Sequence, residues 1–289
     1  MRPPRVLLID CSAVCYRALY SSGHLKTSDG RPSGVYFGFF NILYKLCCNG
    51  KAAHFVFCWD SQQSHRKLLF PEYKGNREHS EDVVEAFKQF KHLRTHILPE
   101  LGFINNLFKV GYEADDLIAS VCKYDPPKRN QEYCIVSADH DLYQLLTPNI
   151  CMWEPSTKVK PYTYEKFREQ WKANPNIWGT VKAIAGCKTD GVPGIPGVAE
   201  KTAIKHLTVK PVPKIQSPEN QQIIERNKKL VMLPFWSTPK FRLDWDFKPS
   251  FRSFIDMCHE YEFNTFLKHR QNWQDIFSGV VPGQSYGKR

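Results

Sequence analysis

The sequence predicts an α/β fold, a doubly wound and mainly parallel sheet followed by a smaller helical region. Short apolar runs without alternation, Val6-Leu7-Leu8-Ile9, Phe55-Val56-Phe57-Cys58-Trp59 and Cys134-Ile135-Val136-Ser137-Ala138, read as strands covered on both faces. Between them lie segments of helical texture, and strands alternating with helices build parallel crossover units. Each of these runs also ends in an aspartate: Asp10, Asp60 and Asp139. In such sheets ligands bind beyond the carboxyl ends of the strands, where the strand order reverses, so these acids are expected at one crevice.

Composition bounds the rest. Of 289 residues, 42% are hydrophobic and 13% aromatic, enough for a sizeable packed core, which excludes wholesale disorder. No apolar run approaches the roughly 18 residues of a membrane span, and MRPPRVLLID leads into a strand rather than reading as a secretion signal. A soluble, intracellular protein is expected, in the cytoplasm or, if viral, the host cytoplasm. The ten cysteines lie mostly in apolar runs, with no CxxC pair and no zinc-type spacing, and read as reduced, buried thiols. Lys and Arg outnumber Asp and Glu by 40 to 29, a net charge of +11, which suits a polyanionic partner but names no activity.

Along the chain, residues 34 to 48 form an apolar helix and 81 to 98 a charged amphipathic one. A short strand around 103 to 110 precedes a helix over 113 to 124, which carries acids in its first turn, as the helix dipole favours. After residue 176 the texture changes to a helix-like AIAGCKT, a Gly/Pro-rich GVPGIPG and then EKTAIKHL. A proline-containing connector over 207 to 220 and a helix over 221 to 233 follow. The expected division is an α/β domain over 1–176, a helical C-terminal region over 177–278 and a mobile tail over 279–289.

Glu113, Asp115 and Asp116 open a helix, and Asp139 and Asp141 follow a strand. With Asp10 and Asp60 they would repel one another at a shared strand edge unless cations neutralised them. Hard oxygen ligands at a wet edge suit Mg²⁺ or Mn²⁺ rather than zinc, and such ions serve phosphodiester hydrolysis. A lone Asp after a strand is ordinarily a helix cap or turn former. Capping does not require every one of these elements to end in acids, and the conjunction favours a metal pocket.

The segment HRKLLFPEYKGNR interleaves Arg66, Lys67, Lys74 and Arg77 with Phe70 and Tyr73. Cations with aromatics among them suit a single nucleic-acid strand, through phosphate contacts and base stacking, whereas an isolated segment of this kind reads as a solvated loop. GVPGIPGVAEKTAIKHL has Glu200 before Lys201 and so lacks the Gly-Lys of a Walker A loop, which excludes an ATPase reading. Its glycine turns, leading to Lys201 and Thr202, can instead present backbone N–H groups to a phosphate, or simply join two helices.

LLIDCSAVCYRALY, FCWD, FPEYKGNR, GYEADDLIAS, SADHDLYQLL and AGCKTDGVPGIPGVAEKTA, in that order, resemble the structure-specific 5′ nuclease family over roughly residues 5 to 275. That family includes phage-type flap endonucleases and the 5′-3′ exonuclease domain of bacterial DNA polymerase I. The resemblance implies a PIN-like, resolvase-like doubly wound sheet with a helical arch region, then a smaller helical domain containing a helix-hairpin-helix. It implies a first metal held by Asp10, Asp60, Glu113, Asp115 and Asp116, with Asp139 and Asp141 between the metals and Asp190 on a second. Lys74 and Arg77 match cations that engage the scissile phosphate, and Tyr73 an aromatic at the same gate. The segment around Gly194 and Gly197 matches a hairpin that grips duplex backbone, with K⁺ as its ion.

Two positions depart from the family. Cys187 stands where an Asp is usual, and a thiol is a poor Mg²⁺ ligand, so a weaker second site is expected. Ala199 stands where a second Gly is usual, which would cost about 1 kcal/mol were the residue left-handed. The implied activity is a divalent-metal-dependent 5′-3′ exonuclease and flap endonuclease acting on branched, nicked or primer-containing DNA, RNA–DNA junctions included. A monomer is expected, with any DNA polymerase acting in trans. The rival readings are a branched-DNA-binding protein weakened by Cys187 and a PIN-type ribonuclease.

Overall fold

A computed structural model describes residues 5–50, 52–75, 80–155, 160–246 and 248–279. Strand β1 (Arg5–Asp10) leads directly into α1 (Cys11–Ser22), because the Asp10 carboxylate accepts from the Ala13 N–H at 3.0 Å and caps the helix. Then come α2 (Gly34–Gly50), β2 (Ala52–Trp59), the single turn α3 (Arg66–Leu69) and α4 (Glu81–His92). The helix expected over 81 to 98 continues through a π turn, Leu93–Ile97, into α5 (Leu98–Glu100). Pro99 explains the widening: it has no N–H for the Thr95 carbonyl and its ring crowds that turn. Residues 76–79, Arg77 among them, and the tail from 280 onward lie outside the described residues.

Next come β3 (Asn106–Phe108), α6 (Ala114–Tyr124), β4 (Glu132–Val136), a 3₁₀ turn His140–Leu145 and β5 (Ile150–Trp153). The sheet order is β3-β2-β1-β4-β5, parallel throughout. This is the doubly wound sheet the sequence predicts. The chain leaves β1 toward β2 and later returns across it to β4, so the order reverses beside β1 and opens a crevice at its carboxyl end. Strand β5 was not legible beforehand, since its run of four residues is shorter than the pattern a strand needs to declare itself.

Beyond the sheet lie α7 (Tyr164–Trp171), α8 (Trp178–Ala185), the two-residue strands β6 (Gly186–Cys187) and β7 (Val192–Pro193), and α9 (Glu200–Thr208). Helix α10 (Pro218–Val231) starts earlier than the expected 221, because Ser217 caps it and Pro218 fits the first helical position. Helices α11 (Phe251–Glu260), α12 (Asn264–Lys268) and α13 (Arg270–Phe277) complete the described chain.

Strand periodicity sorts the core into two. Leu7, Ile9, Phe57, Trp59 and Val136 face one way, onto α1, α2, α4 and the helices α11 to α13. Val6, Leu8, Val56, Cys58 and Ile135 face the other, onto α6, α8, α9 and α10. The sheet, and not a boundary near residue 176, divides the hydrophobic interior. Among the described residues, the helices of 177–278 cover both faces of the α/β sheet and add their buried side chains to its two cores.

Candidate metal centre

The carboxyl ends of β1, β2 and β4 bring Asp10, Asp60 and Asp139 to one edge, and the first turn of α6 adds Asp115. Asp10 accepts from the buried Ser137 hydroxyl at 2.9 Å, and the Asp139 N–H donates to that hydroxyl at 3.1 Å, so Ser137 ties two neighbouring strand ends together. Asp60 accepts from the Ala114 N–H at 2.7 Å and thereby anchors the start of α6. Burial pushes the Asp10 carboxyl up to about 7, with Asp60 and Asp139 adding to the shift. Burial, then Asp139, Asp10 and Asp60, push Asp115 well above the carboxylate range, and burial and Asp141 raise Asp139. Raised carboxyls at Asp10, Asp115 and Asp139, buried beside further acids, are the electrostatic signature of a site that favours a cation.

Glu113 behaves differently. It accepts from Lys74 Nζ at 2.8 Å, from the Tyr73 hydroxyl at 3.0 Å and from the Ser64 hydroxyl at 3.1 Å. Burial pushes its carboxyl up, but Lys74 and Arg66 outweigh this and hold it at about 2. Lys74 takes a left-handed conformation (φ 52°), and its N–H donates to the Asp190 carbonyl at 2.8 Å. The turn that carries this lysine is thus pinned to the 3₁₀ turn Lys188–Asp190.

Three sequence expectations change. Asp116 is fully buried, and its carboxylate accepts from Arg66 Nη1 and Nη2 at 2.6 and 2.7 Å and from the Phe235 N–H at 2.9 Å. It also closes the α6 capping box by accepting from the Glu113 N–H. With its oxygens so engaged, Asp116 fixes α6 instead of facing the metal pocket. Arg66, 3% exposed, donates as well to the Leu230 carbonyl, and so braces the interior instead of meeting a strand. Tyr73 is 2% exposed, its hydroxyl lying 3.0 and 3.1 Å from Glu113 and Asp190, so it positions acids and presents no stacking face. Lys67 is exposed, as a strand contact requires.

A second cluster lies beside the first. One ligand atom each of Asp141, Cys187 and Asp190 falls within 4.8 Å of the others. The Cys187 thiol sits 3.0 Å from the Thr189 hydroxyl and is pushed up to about 12 by burial, then by Asp141 and Asp190. Lys182 Nζ stands 3.2 Å from Asp141 Oδ1. Sequence reasoning missed Lys182, Ser137 and Ser64. A lysine on a helix usually snorkels to solvent, and a hydroxyl announces no partner.

A family model described as the 5'-3' exonuclease, N-terminal resolvase-like domain, matches residues 5–172. A 5'-3' exonuclease of Bacillus subtilis is 33% identical over 213 residues, covering 71% of this chain and 70% of that protein. The chain belongs to the 5'-3' exonuclease family. DNA polymerase I of Bacillus caldotenax is 31% identical over 209 residues, and this chain spans 23% of the length of that relative. Among solved structures, the flap endonuclease of bacteriophage T5, in complex with DNA and metal ions, is 20% identical with a TM-score of 0.62, covering 94% of this chain and 99% of that one. The catalytic core of Rad2 in complex with DNA substrate is 13% identical with a TM-score of 0.54, covering 97% and 92%. Both share the fold, resolvase-like as the sequence resemblance implied.

In this family member α8, the β6–β7 hairpin and α9 form a helix-hairpin-helix. Gly194 is required by closeness, since a Cβ there would lie 2.1 Å from the Ala185 carbonyl carbon. Gly186, Gly191 and Gly197 have positive φ (84°, 68° and 73°), while Ala199 is extended (φ −97°, ψ 173°) and precedes α9 without strain. The expected cost at Ala199 therefore does not arise. Lys201 is exposed and Thr202 half-buried in the first turn of α9. Lys214 Nζ donates to the Pro196 carbonyl of the hairpin.

Proposed function

We propose that this protein is a divalent-metal-dependent 5′-3′ exonuclease and flap endonuclease, acting on branched, nicked or primer-containing DNA in replication and repair. The observation that carries the reading is the meeting of Asp10, Asp60, Asp115 and Asp139 at one strand edge, where burial and neighbouring acids raise the carboxyls of Asp10, Asp115 and Asp139. This all-oxygen donor set at a strand edge fits Mg²⁺, with Mn²⁺ as a substitute. A divalent ion held there would polarise a phosphate oxygen and acidify a water for attack. Asp141, Cys187 and Asp190 bring two carboxylates and a thiol together as the donors of a second ion, and the thiol, a poor ligand for a hard cation, makes this the weaker site.

The chain's own residues do the rest. Ser137 holds Asp10, and Asp60 holds the start of α6, so the pocket is built before substrate arrives. Glu113, fully ionised, accepts from Lys74 Nζ at 2.8 Å and holds the lysine where it can offset charge on a scissile phosphate. Arg77 is placed in the same role by its sequence neighbourhood. Lys67 and the hairpin around Gly194, Gly197, Lys201 and Thr202 would hold single-stranded and duplex phosphates. We take the protein to act as a cytoplasmic monomer, with a polymerase in trans. A 5′-labelled flap substrate with Mg²⁺ tests the reading: cleavage near the junction, abolished by chelator and lowered at least ~10³-fold by Asp139→Asn, is expected. An inactive wild type, or an Asp139→Asn variant as fast as wild type, overturns it.

A further inference from the structure

We propose that Asp141, Cys187 and Asp190 make the second ion site of this protein selective for a thiophilic divalent ion, Zn²⁺ or Co²⁺, over Mg²⁺. The site's place in catalysis rests on the nuclease reading above, whereas the ion preference follows from the donors and their placement.

One ligand atom from each of the three residues falls within 4.8 Å of the others, close enough for a single ion to touch all of them. Local structure brings this about. Cys187 precedes and Asp190 ends the 3₁₀ turn Lys188–Asp190, and side chains three residues apart on such a turn eclipse, so thiol and carboxylate leave the hairpin on one side. The Gly191 N–H closes the turn on the Lys188 carbonyl at 3.2 Å, and the Lys74 N–H holds the Asp190 carbonyl at 2.8 Å. Asp141 comes from the 3₁₀ turn after β4, where its N–H donates to Asp139 Oδ1 at 2.8 Å, so the cluster adjoins the all-oxygen pocket. Each carboxylate has a partner that orients it: Lys182 Nζ lies 3.2 Å from Asp141 Oδ1, and the Tyr73 hydroxyl 3.1 Å from Asp190 Oδ2.

A buried cysteine is ordinarily a packing residue, and the other nine cysteines join no such group of ligands among the described residues. Cys187 differs, because its Sγ lies within reach of two carboxylates and 3.0 Å from the Thr189 hydroxyl. Donor type then selects the ion. Mg²⁺ needs hard oxygens in a near-octahedral array and gives up its waters reluctantly, so a sulfur costs it a ligand; Zn²⁺ and Co²⁺ take thiolate and carboxylate together. On ligation the S–H bond breaks, the sulfur gives its electron pair to the ion and the proton leaves to solvent. Three protein donors leave a four-coordinate ion one open position, as in catalytic zinc sites, and a phosphate oxygen can bind there. Asp10, Asp60, Asp115 and Asp139 next to it offer oxygen alone, so two neighbouring sites of one protein sort two kinds of ion.

Co²⁺ titration of the full-length protein, followed by the thiolate-to-cobalt absorption in the near ultraviolet, gives a readout independent of cleavage. With Mg²⁺ in about 100-fold excess to fill the oxygen pocket, the wild type should still develop this absorption to saturation, and should lose it to Zn²⁺. Cys187→Ser should show none. In Cys187→Asp the preference for Co²⁺ over Mg²⁺, measured by equilibrium dialysis, should fall at least ~10-fold. Flap cleavage in Mg²⁺ should rise about 10-fold when Co²⁺ is added to the wild type and change little in Cys187→Asp. A wild type that holds Co²⁺ without the absorption, an absorption that survives in Cys187→Ser, or an equal response to Co²⁺ in active wild type and active Cys187→Asp would overturn the proposal. A wild type that gives the absorption but cleaves no flap with either ion overturns the nuclease reading and leaves the ion preference standing.

Discussion

Adjacent residues on a helix project about 100° apart, and at Asp115 and Asp116 this decides their roles. Both were legible as acids in a first helical turn; which one faces the pocket was not, because that depends on where Arg66 and the Phe235 N–H lie. The fully buried Arg66–Asp116 pair is worth testing as stability. Arg66→Met should destabilise the protein by ~3–5 kcal/mol, since it strands a buried carboxylate, and Arg66→Met/Asp116→Leu should recover much of that loss. Urea denaturation measures both, and a cost under ~1 kcal/mol for the single variant would contradict the assignment. At Asp115 the expected sign is opposite. Asp115→Asn relieves repulsion, so the metal-free protein should gain roughly 1–2 kcal/mol while the Mg²⁺-induced rise in Tm shrinks. Thermal melts with and without chelator would show it, and an unchanged Mg²⁺ increment would count against Asp115 as a ligand.

At the scale of elements, the strands were readable because burial on both faces leaves an unbroken apolar run, and the terminal aspartates because charge ends such a run abruptly. The hairpin was readable as glycine-rich, but not which glycine carries the strained turn. Positive φ falls on Gly186, on Gly191 in the turn between β6 and β7, and on Gly197 before α9, whereas Gly194 is there for lack of a Cβ. These separate causes give separable effects. Gly197→Ala should cost about 1–2 kcal/mol of stability through its left-handed backbone and weaken binding to nicked duplex, with little change in Mn²⁺ affinity. Duplex binding by fluorescence anisotropy beside a Mn²⁺ titration distinguishes this from global damage; equal loss in both would refute a local role for the hairpin. The helix over 81 to 98 shows the same limit from another side, since Pro99 signalled an interruption whose form, a π turn, only packing decides.

For the whole molecule, the texture change near residue 176 is real in sequence, yet the described residues beyond it share the sheet's two cores. Residues 178–243 complete one face of the sheet, and α11 to α13 the other. Long-range coverage of this kind leaves no local signal, because an amphipathic helix looks alike whichever sheet it meets. Trp273 makes the point testable. It is fully buried near the C-terminal end of the described chain, within 4.4 Å of the Phe254 ring centroid and 6.3 Å of that of Phe40 on α2. If the C-terminal helices formed their own domain, Trp273→Ala would lower one of two unfolding transitions and leave the nuclease sheet intact. Because they share its core, a single cooperative transition should move, by ~3–5 kcal/mol, with Mg²⁺-dependent flap cleavage lost at the same temperature. Trp273→Phe should cost much less, since the indole N–H has no hydrogen-bond partner among the described residues. Calorimetry paired with residual activity decides it, and a second transition that keeps activity would restore the boundary at 176.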